Sequence, residues 1–281
     1  MNVLFWNTNL RDFQNKKSDN IKKCLIEMII ENKVDLLSLA EYSDNMQELC
    51  DLINVRTRLR YIPIPNHGGC KKIKGILNDR YRVESLIEQS RYQIVKINTI
   101  SYVLLIAMIH NISKLNADEK LQKEILSSFR SDIEVEEQVH NCKNTLAIGD
   151  YNANPFEESC ISAAFMHSMP FYEEVIEKHT RKIQGKTYQK FYNPTWKFFG
   201  NKEVPYTTYH YDNSGQMENY CWNVFDQVLI RPTLMRAFNE DKLKIIAETQ
   251  NHNLMNNGKP DKTDYSDHLP LFCVLKEDVI R

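Results

Sequence analysis

Four apolar runs of strand length end abruptly on a polar residue, and this punctuation limits the folds open to the chain. NVLFWN (2–7) closes on Asn7, VDLLSLAEY (34–42) carries Glu41 near its end, SYVLLIAMIH (101–110) closes on His110, and NTLAIGDYN (144–152) closes on Asp150 and Asn152. Unbroken apolar runs read as strands covered on both faces, because a half-exposed strand would alternate. Between the first two runs NIKKCLIEMIIENK carries apolar residues at helical spacing, so the opening is β-α-β. RYRVESLIEQ, RYQIVKI and SYVLLIAMIH then follow one another with short breaks, as an antiparallel meander does. A helix is predicted at about residues 115–130, and late strands at WNVFDQVLI, KLKIIAET and LPLFCVL. The expected class is an α/β fold of mostly antiparallel sheets covered by helices, not a doubly wound parallel sheet.

With 281 residues, 42% of them hydrophobic and 26% charged, the chain can bury a large core, and one domain over 1–281 is expected. Its seven cysteines include no C-x-x-C pair, and neither an export signal nor a span of membrane length stands out, which suits a cytoplasmic protein with reduced thiols. The net charge of -1 hides two basic runs. Arg56 to Arg82 holds eight Lys or Arg against the single acid Asp79, and Arg181 to Lys202 holds six with no acid. Either run alone reads as a solvated face; two near one site would suit a polyanion.

Antiparallel neighbours bring the end of one strand beside the start of the next. Asp226 and the pair Asp267-His268 sit at or before strand starts, so they are predicted to meet Asn7, Glu41, His110, Asp150 and Asn152 along one sheet edge. Carboxylates with an Asn and no Cys form a hard, oxygen-rich set suited to Mg²⁺ or Mn²⁺. Two histidines add acid/base capacity, and the combination is equipment for phosphate ester hydrolysis. Each residue also has a plainer reading. Asn7 and GDYNANP could be turn chemistry, Glu41 an acid at a helix start, and His110 a core histidine. Turn chemistry does not explain why six segments share a strand-end placement.

FWN, LLSLAEY, IGDYNANP, FDQVLI and YSDHLP, in this order from residue 3 to 275, resemble the motif series of the endonuclease/exonuclease/phosphatase superfamily, the pancreatic deoxyribonuclease-like group. The resemblance implies a four-layer α/β/β/α sandwich and a metal-dependent phosphoric ester hydrolase. It implies Glu41 as main metal ligand with Asn7 and Asp267, and Asp226 orienting His268. Asp150 would serve the attacking water, and Asn152 and His110 would donate to phosphoryl oxygens. Asp150 and His268 both remain open as the base. His110 stands where abasic-site endonucleases usually have tyrosine, and Ala153 departs from the inositol polyphosphate phosphatases. The remaining similarity is to bacterial-type members.

Residues 181–222 hold eleven aromatics interleaved with the second basic run, read as an aromatic and basic loop insertion. Those rings suit stacked bases, or else the packing of the loop itself. The expected activity is a nuclease acting on DNA or RNA, with a small-molecule or lipid phosphate as the alternative substrate. A binding module without turnover is the third reading, and the complete residue set argues against it.

Overall fold

Along the first strand Val3 and Phe5 face one way, Leu4 and Trp6 the other, and all four are fully buried. This double burial, seen here in a computed structural model, repeats through the central strands of two large sheets. The structure describes residues 1–11, 15–57, 59–99, 102–114, 118–212, 215, 217 and 219–280. Residue 58 of the first basic run, 101 of the third apolar run, 115–117 of the predicted helix, and 213, 214, 216 and 218 of the aromatic stretch lie outside them.

In chain order the strands of the two sheets are β1 (Asn2–Leu10), β2 (Leu36–Tyr42), β3 (Tyr61–Pro63), β4 (Ile73–Asn78), β5 (Arg82–Gln89), β6 (Tyr92–Asn98), β7 (Val103–His110), β8 (Thr145–Asp150), β9 (Ser168–Met169), β10 (Phe191–Tyr192), β11 (Asp226–Ile230), β12 (Lys244–Ile245) and β13 (Leu271–Val274). One sheet runs β12-β13-β1-β2-β4-β3 and the other β5-β6-β7-β8-β11-β10-β9. Most neighbours are antiparallel; β1–β2, β7–β8 and β9–β10 are parallel.

Val3, Phe5, Leu36 and Ala40 of the first sheet pack against Leu104, Ile106, Met108, Leu146, Ile148, Val228 and Ile230 of the second. Helices α1 (Asn15–Asn32) and α2 (Met46–Thr57) cover the outer face of the first sheet through Ile21, Leu25, Met28, Leu49 and Ile53. Helix α3 (Glu119–Val139) covers the second through Leu126, Phe129 and Ile133. The result is the expected four-layer α/β/β/α sandwich. Each fully buried Leu, Ile or Phe contributes about 1.5–3 kcal/mol, so these three apolar layers hold the frame.

Local details differ from the sequence reading. Helix α3 starts on the Asp118 cap, which accepts from Leu121 N, and runs to Val139, beyond the predicted end. WNVFDQVLI is not one strand. Trp222–Asn223 pairs with Tyr209–His210, and the chain bends where Val224 N donates to Asn154 Oδ1. KLKIIAET keeps only β12, because the ladder ends at Pro270, which has no N–H to offer. The first part of the second basic run, Arg181 to Lys190, lies away from Asp226. Thr180–Ile183 and Lys186–Gln189 form a hairpin that leads into β10, and Tyr192 pairs with Ile230 at the opposite end of β11. Lys190 is buried there on Glu174 at 3.0 Å.

Candidate active site

Strand parity delivers the polar residues to one place. Asn7 follows Val3 and Phe5, His110 follows Ile106 and Met108, Asp150 follows Leu146 and Ile148, and Asp226 precedes Val228 and Ile230. All four therefore face the gap between the sheets at the same end. The sheet register agrees, for Asp150 pairs with both His110 and Asp226. Gly149 permits this close pairing, since a Cβ there would lie 1.9 Å from the Ile109 carbonyl oxygen and its φ is +155°. Glu41 breaks the rule. Leu37 and Leu39 face the helices, so parity would send Glu41 outward, but its φ of 49° leaves the strand conformation. Its Oε1 sits 3.4 Å from His110 Nε2 of the other sheet.

His268 Nδ1 is 2.9 Å from Asp226 Oδ2, and both side chains are buried. Asp150 Oδ2 accepts from Asn7 Nδ2 at 2.9 Å, while its Oδ1 accepts from Asn152 N at 2.8 Å. That same Oδ2 stands 3.8 Å from Nε2 of both His268 and His110, too far for direct hydrogen bonds. Asn152 is in the left-handed region with φ of 50° and spends one amide proton on the Asn111 carbonyl, leaving the other. Ser266 Oγ donates to the Asn7 carbonyl at 2.7 Å and accepts from His268 N, tying the segment before β13 to β1. Trp6 Nε1 donates to the His268 carbonyl.

Charge within this cluster is strongly coupled. Burial alone would lower the His268 ring, but the Asp226 and Asp150 carboxylates outweigh it and hold the ring well above its ordinary value. Burial raises the Asp150 carboxyl, with Asp226 adding to the rise and His268 opposing it. Burial also pushes His110 down to about 3, and the positive charges of Arg91, His268, Lys72 and Arg11 act in the same direction. The surroundings therefore favour the charged form of His268 and the neutral form of His110. Nε2 of His110 faces acceptors, which assigns its proton to that nitrogen.

Among the described residues one group of three acid or histidine side chains has ligand atoms all within 4.8 Å of one another, namely Asp150, Asp226 and His268. Because Asp226 Oδ2 already holds the His268 ring, this trio is read as a hydrogen-bonded dyad with a facing acid. Glu41 and Asp267 lie to one side, neutralised by the chain's own cations. Arg11 Nε is 2.5 Å from Glu41 Oε2, and Arg11 and Lys17 both feel the Glu41 and Asp267 charges. An oxygen-donor pair that gathers cations, beside an Asn7 Oδ1 that among the described residues is engaged only by Asn9 N, fits a hard divalent ion.

No family model matches the chain, and no curated protein matches it. Solved structures do. The 3′ phosphatase NExo from Neisseria, solved with a product DNA hairpin, aligns with a TM-score of 0.56 at 12% identity over 98% of this chain and 99% of its own. A truncated Caenorhabditis elegans TDP2 gives 0.55 at 17% over 98% and 96%. An endonuclease/exonuclease/phosphatase family protein from Bacteroides thetaiotaomicron gives 0.54 at 11% over 97% and 96%. The chain has the endonuclease/exonuclease/phosphatase fold. Within that fold the eight residues marked in the sequence occupy one end of the sandwich.

Several neighbours of the site escaped the sequence reading. Arg91 sits in the β5–β6 turn and accepts from His110 N; nothing in a two-residue turn signals this. Arg11 and Lys17 belong to none of the sequence motifs or basic runs, so nothing in the sequence marks them. Tyr209, marked only as one of many aromatics, lies on the His268 ring with centroids 4.5 Å apart and stacks on Phe225 behind. Its backbone also bridges to His268.

Proposed function

We propose that the chain is a divalent-cation-dependent phosphoric ester hydrolase, and specifically a nuclease that hydrolyses phosphodiester bonds of DNA or RNA. One observation carries this reading: Asp150 Oδ2 faces Nε2 of two histidines, His110 and His268, and Asp226 fixes the ring of the second. A phosphoryl oxygen within reach of His268 would accept its Nε2 proton as a charge-assisted hydrogen bond. Asp150, its carboxyl raised by burial, is suited to take the proton of the attacking water, so Asp150 is assigned as base and His268 as acid-side partner. His110 and Asn152 donate to the remaining oxygens. Glu41, Asp267 and Asn7 would hold Mg²⁺ or Mn²⁺, which supplies charge neutralisation at the phosphate.

Nucleic acid is preferred over a small or lipid phosphate because Lys72, Arg91 and Arg11 all act on His110, giving a basic rim where a polyanion would run. TDP2 of D. rerio, which shares the fold at a TM-score of 0.52 and 14% identity over 97% of each chain, is described with a single-strand DNA product. Residues 1–281 are read as one catalytic unit, since both sheets supply the site. Among the described residues no helix is long and apolar enough to cross a membrane. The test is a panel of plasmid, single-stranded DNA, RNA, a phosphoinositide and a nucleotide, each with Mg²⁺, Mn²⁺ and chelator. Turnover of the polynucleotides alone supports the nuclease; turnover of the lipid or the nucleotide alone replaces it.

A further inference from the structure

Two cations attend the Glu41 and Asp267 carboxylates, and they are held very differently. Lys17 is 7% exposed, and its ammonium donates to the Asn9 carbonyl at 3.0 Å and lies 3.5 Å from that of Lys262. It is anchored by backbone from two directions. The Arg11 side chain is 66% exposed, yet its Nε reaches Glu41 Oε2 at 2.5 Å, where the carboxylate is only 10% exposed. No other side-chain partner of Arg11 is found among the described residues. Glu41 itself is fixed by its backbone, since Thr8 Oγ1 donates to its carbonyl at 2.8 Å and its φ is 49°. A rigid acceptor thus faces one fixed cation and one that is free to leave.

We infer that Arg11 is a displaceable counter-cation for Glu41: it occupies the carboxylate until a divalent ion takes its place, and so sets the affinity of the site for that ion. The inference rests on the metal-dependent reading above. A largely desolvated carboxylate needs a counter-charge, and an internal guanidinium supplies one at all times. An incoming ion must break that pair, so its apparent affinity falls by the strength of the contact it replaces. Lys17 is less suited to this role, because its ammonium is buried and held by the Asn9 and Lys262 carbonyls.

The experiment is direct Mn²⁺ binding, measured by the electron paramagnetic resonance signal of free Mn²⁺, for the parent, Arg11→Gln, Glu41→Gln and the double variant. Arg11 is on the surface, so Arg11→Gln should fold normally, as circular dichroism would check. An exposed pair is worth up to about 1 kcal/mol, a factor of about five, and Arg11→Gln should tighten Mn²⁺ binding by about threefold or more. The gain should shrink as ionic strength rises. In the Glu41→Gln background the Arg11 substitution should gain much less, because its hydrogen-bonded partner is gone and only the more distant Asp267 charge remains. Equal or weaker Mn²⁺ binding by Arg11→Gln overturns the inference. An equal gain in both backgrounds also overturns it, since Arg11 would then act as a distant charge. A parent that binds no Mn²⁺ removes the metal-dependent reading and the inference with it, whereas a parent that binds and ignores Arg11 removes the inference alone.

Discussion

Asp226 and His268 make the most specific claim at the scale of single residues. The carboxylate holds Nδ1 of the ring at 2.9 Å and leaves Nε2 turned toward Asp150. His268→Ala should lower turnover by about 10²–10⁴-fold, and Asp226→Asn by less, because the ring stays but loses its orienting charge. Groups that act as one unit are not additive, so the double variant should resemble His268→Ala alone. Losses that multiply would show that the two residues work separately. The sequence carried this pair openly, as FDQVLI and YSDHLP, yet did not say which residue is the base. That choice depends on burial and on the mutual charges of Asp150, Asp226 and His268, none of which a linear pattern contains.

Among the elements, the loop before β4 shows how a basic side chain is brought to the site. Glu88 of β5 accepts from the amides of His67 and Gly69 and from the Ser85 hydroxyl, and pairs with the His67 ring. Lys71 N is bound in turn to the Ser90 carbonyl. Burial alone would raise the Glu88 carboxyl, but these hydrogen bonds outweigh it and hold it at about 2, below an ordinary 4.5. A depressed carboxyl stabilises the folded state above its unfolded value and ceases to do so as pH falls through the folded one. The melting-temperature advantage of the parent over Glu88→Gln should therefore be full above pH 4.5 and fade toward pH 2. A pH-independent difference would mean that the clamp contributes nothing as a charge. Strand placement itself was legible, because residues two apart on a strand share a face: Met108 in the core puts His110 at its rim, and Ile148 does the same for Asp150. Glu41 was found by its position at a strand end, although parity alone would have turned it away; a positive φ at a glutamate has no sequence signal.

For the whole molecule the question is where the positive charge lies. The first basic run reaches the site through Lys72, but Arg181 to Lys190 of the second fold into a hairpin beyond Ile230, with Lys190 buried on Glu174. Order along the chain could not reveal this, because β10 returns to the sheet at the far end of β11 before the chain turns back. The exposed Lys71 and Lys72, and not Lys186 or Lys190, should then carry the dependence on polynucleotide. Reversing Lys71 and Lys72 to Glu should raise KM for DNA and flatten its salt dependence, since each phosphate contact releases a counterion. A nitrophenyl phosphodiester should be hydrolysed as before. Unchanged DNA kinetics at every salt concentration would place the polyanion elsewhere.

The function proposed above has one end of this sandwich hydrolyse phosphodiesters in nucleic acid with a divalent ion and the Asp150 and His268 pair. It is tested most directly by the cleavage rate of a labelled single-stranded DNA in Mg²⁺ by the parent and by His268→Ala, each with and without chelator. The parent should cleave, chelator should abolish that cleavage, and His268→Ala should lower it by at least about a hundredfold. An inactive parent, full activity in chelator, or an undiminished His268→Ala would contradict it.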